Sequence, residues 1–204
     1  MKPVAVVTGA SGGLGAAIAA ELEERGYGVV GLSRSSGVDV ADEERVRAAF
    51  DELERLDVLV NNAAVLIPRP LADTSATEWD EQLGSLRAAF LCSREAFRRM
   101  GPGGTIVNIS SLSGVAGAEK FAGMAAYVAA KSGLAGLTEV LAVEGRPLGI
   151  RVNAISPGAI DTPMLKVAGV AGRKFAPAEV ARVVAWLAAP DSAPLTGANL
   201  RLEP

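Results

Sequence analysis

The segment Tyr127-Val128-Ala129-Ala130-Lys131 sets a phenol and an ammonium four residues apart, on one face of any helix that contains them. A free tyrosine titrates near pH 10, so it moves protons at neutrality only if its anion is favoured by roughly three pH units, about 4 kcal/mol. One cation at about 4 Å, in an effective dielectric of about 20, supplies roughly that much before desolvation is subtracted. Lysine can therefore tune tyrosine as a general acid and base, although the same spacing also serves ordinary surface pairs.

A second group, Thr8-Gly9-Ala10-Ser11-Gly12-Gly13-Leu14-Gly15, follows the apolar run Val4 to Val7 and precedes a helical pattern. Glycines at 9, 13 and 15 permit a tight turn and close approach of a pyrophosphate, and a helix N-terminus adds N–H donors and positive potential. The same residues contain Gly9-Ala10-Ser11-Gly12-Gly13, which fits a G-x-S-x-G nucleophile elbow. An elbow serine needs a base, ordinarily histidine, and the chain has none. The phosphate-binding turn is the stronger reading.

Composition narrows the field. The 204 residues are expected to form one domain, 1–204, with a sizeable core. Twenty basic and 23 acidic residues, net charge -3, give no footprint for nucleic acid or an anionic membrane. A lone cysteine, Cys92, and the lack of histidine exclude an internal disulfide and leave no credible metal cluster. A reducing, cytoplasmic setting is expected. The apolar run at Val4 to Val7 breaks at Thr8-Gly9 and reads as a buried strand rather than a signal peptide. Ala125 to Val143, the most apolar later stretch, carries Lys131, Glu139 and several glycines and is not expected to span a membrane.

The elements that must position these groups alternate. Val4 to Val7, Gly28 to Leu32, Val58 to Val60, Thr105 to Ile109, Arg151 to Ile155 and Leu200 to Leu202 read as short buried strands. Between them lie helical windows at Leu14 to Arg25, Asp42 to Leu56, Glu78 to Met100, Ala126 to Glu144 and Pro177 to Ala188. Such alternation predicts an α/β fold: a doubly wound, Rossmann-like parallel sheet in a three-layer α/β/α domain. Ligands bind such sheets beyond the carboxyl ends of the strands.

Taken in order, Thr8-Gly9-x-x-x-Gly13-x-Gly15, Asp39-Val40, Asn61-Asn62-Ala63, Ser110-Ser111, Tyr127-x-x-x-Lys131, Pro157-Gly158 with Thr162, and Thr196-Gly197 resemble the short-chain dehydrogenase/reductase family, in particular its 3-oxoacyl-carrier-protein reductase branch. The resemblance runs from the first strand to the last residues. It implies hydride transfer between a nicotinamide cofactor and a small carbonyl or alcohol, with Tyr127 exchanging the substrate proton. Lys131 would hold the nicotinamide ribose and tune Tyr127, and Ser111 would hydrogen-bond the substrate oxygen, where fixed donors act most strongly in the transition state. By the same resemblance Gly9, Ser11, Gly12 and Leu14 line the pyrophosphate. Asp39 and Val40 flank the adenine, Asn62 and Ala63 run beside the ribose, and Ile160 and Thr162 meet the carboxamide. A second reading from another class, a dinucleotide-binding protein that has lost catalysis and serves as a redox sensor or scaffold, is disfavoured by the joint presence of Ser111, Tyr127 and Lys131.

The second strand ends Gly31-Leu32-Ser33-Arg34. Ser33 stands where an aspartate would indicate NAD(H), and Arg34 offers a guanidinium to a 2'-phosphate, so NADP(H) is the expected cofactor. Departures from the family pattern are also informative. From Arg34 the chain reaches Val38-Asp39-Val40 within a few residues, leaving no room for the family's crossover helix between its second and third strands. The segment from Thr162 to Pro177 is short, with Gly169 and Gly172 inside it, which suggests a small or open pocket under a mobile loop. Ser85 falls where the family carries a relay asparagine. Surplus apolar residues on two windows, Leu83, Leu86, Phe90, Leu91 and Phe97 on one and Val128, Leu134, Leu137, Val140 and Leu141 on the other, predict a dimer or tetramer.

Overall fold

The computed structural model describes residues 2–168 and 172–204. Gly169, one of the two lid glycines, lies outside the described residues. Six strands form one parallel sheet: β1 (Val4–Thr8), β2 (Gly28–Leu32), β3 (Val58–Asn61), β4 (Thr105–Ile109), β5 (Arg151–Pro157) and β6 (Asn199–Leu202). Their order is β2-β1-β3-β4-β5-β6, so the strand order reverses between β1 and β3. Strand alternation sends Ala5 and Val7 to one face and Val6 to the other. On the first face Ala5, Val7, Val60 and Ile155 pack with Ile18, Leu22, Val180 and Val184 of α1 (Gly13–Glu24) and α6 (Pro177–Ala188). On the second, Val6, Leu59, Ile106 and Val152 meet Val46, Phe50, Leu91 and Ala142. These belong to α2 (Glu43–Asp51), α3 (Ala76–Arg99) and α4 (Ala125–Gly145). Each fully buried Ile, Leu or Phe contributes about 1.5–3 kcal/mol, so two cores of this kind fix the three layers.

Between Leu32 and Asp39 the chain makes a single 3-10 turn, Arg34–Ser36, closed by Gly37 at φ +83°. No helix intervenes there, Val38–Val40 forms no strand, and β2 is left as a sheet edge. Counting the strands that actually form, however, β2 and β3 are joined through α2, which the sequence places between Asp42 and Leu56. The helix is shorter than that window. Asp42 caps its start by accepting from the backbone N–H groups of Glu44 and Arg45 at 3.0 and 3.1 Å, and it stops at Asp51.

The helix α3 begins two residues before its expected start because Ser75 and Glu78 form a capping box: Glu78 N–H donates to Ser75 Oγ at 3.2 Å and Ser75 N–H to Glu78 Oε2 at 2.9 Å. A short helix, α5 (Pro163–Ala168), was not foreseen. The stretch Ala125–Leu148 is long and apolar enough to cross a membrane by length and composition, with mean hydropathy 1.2. In the fold it packs against α3 and β5 and carries the buried Lys131 inward.

Candidate active site

A cleft of about 900 Å³ opens beyond the carboxyl ends of the strands. It gathers Gly9, Ser11, Gly12, Gly13, Leu14 and Gly15 from the first turn, Asn62 and Ala63 from the end of β3, Ser111, Tyr127 and Lys131, and Pro157, Gly158, Ile160 and Thr162 beyond β5. Among the described residues the cleft is large rather than small.

The floor is built by backbone approach. Gly9 adopts φ +69° and Gly13 φ +55°, conformations that other residues enter only with strain. A Cβ at Gly15 would overlap the Gly9 carbonyl oxygen, whereas one at Gly12 would meet nothing within 4 Å. Gly12 also caps α1 without any side-chain hydrogen bond, so the N-terminal N–H groups of that helix face the cleft. Thr8, the first residue of the motif, locks this turn to its neighbour. Its hydroxyl accepts from the N–H groups of Asn62 and Ala63 at 2.9 and 3.0 Å, while Asn62 Nδ2 donates to the Thr8 carbonyl at 2.9 Å. An anion-binding helix end beside open space above Gly12 fits a pyrophosphate, and hence a dinucleotide.

The opposite wall is the loop after β4 against α4. Ser111 caps a 3-10 turn, Leu112–Gly114, accepting from Ser113 N–H at 3.2 Å. Ser110 points the other way, as strand alternation requires, and its buried hydroxyl donates to the Lys131 carbonyl at 2.9 Å. The buried ammonium of Lys131 donates to the Ile109 carbonyl at 2.7 Å, and Ser132 Oγ donates to the Gly114 carbonyl at 2.9 Å. A Cβ on Gly114 would lie 2.8 Å from Lys131 backbone carbon and Cβ, so only glycine lets the loop and helix approach this closely.

Burial pushes the Tyr127 phenol up, and the Ser111 hydroxyl beside it works in the opposite direction. Desolvation holds the Lys131 ammonium down at about 8. The ammonium is committed to the Ile109 carbonyl and stands 5.6 Å from the Tyr127 ring centroid, and in this arrangement burial is the larger influence on the phenol. Cys92 is buried and pushed up to about 12 by desolvation and by Glu95, an inert packed thiol.

The remaining expected residues lie elsewhere. Arg34 and Asp39 line a separate hollow of about 300 Å³ with Gly37, Asp42 and Arg45. The Arg34 guanidinium is 67% exposed and stands 3.8 Å from Asp39 and from Glu81. Ser33 lines neither space; its side chain caps the Arg34–Ser36 turn. Val40 is buried with Leu32, Val46 and Phe50, which directs its side chain into the core. Ser85 donates to the Gln82 carbonyl of its own helix at 2.8 Å and does not reach the cleft. The buried Gln82 amide, by contrast, accepts from Ile67 N–H at 3.0 Å and holds the loop after Ala64.

The chain is similar to several known proteins. The family described as enoyl-(acyl carrier protein) reductase matches residues 31–203. Cis-4-hydroxycyclohexanecarboxylate dehydrogenase of Sinomonas cyclohexanicum is 37% identical over 240 aligned positions, covering 98% of this chain and 94% of that protein. A short-chain dehydrogenase of Burkholderia cenocepacia in complex with NADP superposes with TM-score 0.89 at 30% identity, covering 98% of this chain and 96% of that one. The 3-ketoacyl-(acyl-carrier-protein) reductase of Brucella melitensis complexed with NADH gives TM-score 0.88 at 26% identity, with the same coverages. Fold and site thus define a nicotinamide-dinucleotide-dependent oxidoreductase. The chain belongs to the short-chain dehydrogenase/reductase family.

Two measurements probe the wall. In Gly114→Ala the added methyl must push Lys131 backbone away from the Ser111 loop, and a displacement near 1 Å between reacting groups costs on the order of a hundredfold in turnover. Turnover within twofold of wild type would show that the close approach does not position Ser111. The second concerns Lys131. Its native ammonium releases a proton near pH 8 and its unfolded one near 10.5, so between those values the unfolded chain binds more protons and stability rises with pH. Relative to Lys131→Met, urea unfolding should show wild type gaining on the order of 2–3 kcal/mol between pH 7 and 10. The opposing loss from Cys92 is common to both proteins and cancels in the difference.

Proposed function

We propose that this chain is a single-domain NADP(H)-dependent reductase or dehydrogenase of small carbonyl or alcohol substrates, with Tyr127 as the proton-exchanging group. The observation that carries the reading is the meeting, across one cleft, of the glycine turn on α1 with the wall of Ser111, Tyr127 and Lys131. When bound, the nicotinamide supplies or accepts the hydride. The chain's own groups do the rest. The first turn of α1 holds the pyrophosphate, and Lys131, with two N–H groups beyond its bond to Ile109, holds ribose hydroxyls. Ser111 donates to the substrate oxygen as negative charge develops there. Tyr127, kept protonated by burial, delivers the proton to that oxygen in the reductive direction.

For the cofactor, Ser33 in place of an acid and Arg34 beside the sheet edge favour a 2'-phosphate. Asp39 and Glu81 stand 3.8 Å from the same guanidinium, which limits the preference. The cyclohexane hydroxy acid in the name of the Sinomonas relative supports small alicyclic or aliphatic substrates. A cytoplasmic setting is consistent with one buried free thiol. A dimer or tetramer is supported by Phe90, Val140 and Val143, which stay 47%, 54% and 64% exposed on α3 and α4.

The test is a panel of ketones and aldehydes followed by NAD(P)H absorbance. Tyr127→Phe should lose about 10²–10⁴ in turnover; a variant that still turned over as wild type would remove Tyr127 from the proton transfer. Absence of turnover by wild type on every substrate would favour the non-catalytic dinucleotide-binding reading. Wild type should prefer NADPH by about ten- to 150-fold, the worth of one charged hydrogen-bonding group. Ser33→Asp with Arg34→Ala should invert that ratio, since aspartate also preserves the cap at residue 33. A wild-type protein that uses NADH at least as well as NADPH would release Arg34 from this role.

A further inference from the structure

Two arginines stand on either side of the loop that follows β5. On one side Gly158 N–H donates to the Leu202 carbonyl at 2.9 Å, and Arg201, which pairs in register with Ser156, is the next residue back along β6. On the other side Asp161 N–H donates to the Phe175 carbonyl and Phe175 N–H to the Ala159 carbonyl, both at 2.9 Å. Those bonds bring Arg173, two residues earlier, to the same loop. Both arginines line the large cleft. The end of β6 also closes on the Ser111 wall: a Cβ on Gly158 would lie 3.0 Å from Pro204 and 3.3 Å from Leu112.

Neither guanidinium has an ion-pair partner among the described residues. Asp161, the acid within the loop itself, stands 3.8 Å from Lys174, and Glu179 accepts from Ala176 N–H at the start of α6. Glu119 and Glu203 share the cleft but pair with neither arginine, and with Lys131 the charged side chains of the lining amount to three positive and two negative. Leu112, Phe121, Met124, Met164 and Leu165 supply apolar surface around them. The arrangement is that of a site for a molecule with an apolar body and one anionic end.

We propose that Arg173 and Arg201 recognise a carboxylate on the substrate, so that the substrate class is a small oxo acid or hydroxy acid whose carbonyl and carboxylate are separated by a hydrocarbon body. This rests on the reading that the carbonyl is reduced at Ser111 and Tyr127, and it adds what the far end of the molecule must carry. A guanidinium matches a carboxylate with two parallel N–H donors, and two of them on separate elements fix the body between them and the reacting oxygen.

The test compares kcat/KM for two acid and ester pairs, 4-oxocyclohexanecarboxylate and 4-oxopentanoate, each against its methyl ester. Wild type should prefer the acids by roughly ten- to hundredfold, and the preference should shrink at high salt because the arginines are exposed. In Arg173→Gln/Arg201→Gln the acid-to-ester ratio should fall toward one. Reduction of the esters or of neutral ketones with no advantage for the acids overturns this proposal and leaves the reductase reading standing. An acid preference that survives the double substitution also overturns it. So does a double variant that loses turnover of acetoacetyl-coenzyme A while keeping its acid-to-ester ratio, since the arginines would then serve a phosphate. No turnover of any acid, ester or ketone removes the reductase reading and this proposal with it.

Discussion

A buried ammonium holds the reactive wall together. Lys131 lies inside the protein and donates to the Ile109 carbonyl at the end of β4, and no carboxylate among the described residues pairs with it. A charge so placed costs several kcal/mol unless its donors are used, so the helix that carries it must dock tightly where a strand-end carbonyl is available. Ser110 and Ser132 add two bonds across the same seam, and Gly114 removes the Cβ that would keep it open. Because Tyr127 is one turn before Lys131 on α4 and Ser111 is two residues after Ile109, the seam sets where phenol and serine stand relative to each other. The geometry of the wall is a by-product of satisfying one buried cation.

At the other end of the cleft the shortened connection after β2 has its own consequence. At least 36 of the 240 positions aligned with the Sinomonas relative face gaps in this 204-residue chain. The single turn after Leu32 leads within a few residues into α2, whose Val46 and Phe50 pack with Leu32 of the edge strand, and neighbouring side chains hold it. Arg94 reaches Glu43 at 2.8 Å, Arg87 Nε donates to the Ala41 carbonyl at 3.1 Å, and Arg45 donates to the Gly37 carbonyl at 2.8 Å. Exposed ion pairs of this sort contribute little each. The burial of Val40, Val46 and Phe50 against Leu32 and Leu59 is the stronger anchor. Arg34 thereby comes to lie among acids from two elements, Asp39 and Glu81, an electrostatic setting fixed by tertiary docking.

What the sequence disclosed and what it hid follow the range of the forces involved. The sheet was legible because each strand is a short apolar run bounded by turn residues, and the first helix because glycines mark its phosphate-facing start. The start of α3 was legible too, in Ser75 and Glu78, a capping box three residues apart that an apolar count alone passes over. Long-range partners were not. Nothing local to Lys131 announces that its acceptor is a carbonyl 22 residues away, nor that Val40 turns inward while Asp39 stays on the surface. Ser85, expected from the resemblance at the family's relay position, has its hydroxyl bonded to its own helix, as short polar side chains in helices commonly do. Arg173 and Arg201 sit in segments with no motif, and only the bonds of the loop after β5 bring them to one cleft.

The two titrating groups on the wall have been moved in opposite directions by the same cause. Burial favours the neutral form of each, which raises the phenol and lowers the ammonium. Near neutrality the phenol keeps its proton, and the ammonium keeps its charge by a margin of about one pH unit, the distance from neutrality to a value of about 8. A protonated phenol is an acid, able to give its proton to an oxygen that is gaining negative charge; an alcohol would instead need the phenolate to accept one. At rest the wall therefore presents a neutral phenol beside a charged, buried ammonium. The two groups thus meet opposite electrostatic demands from one cause, the desolvation that comes with packing α4 against the end of β4.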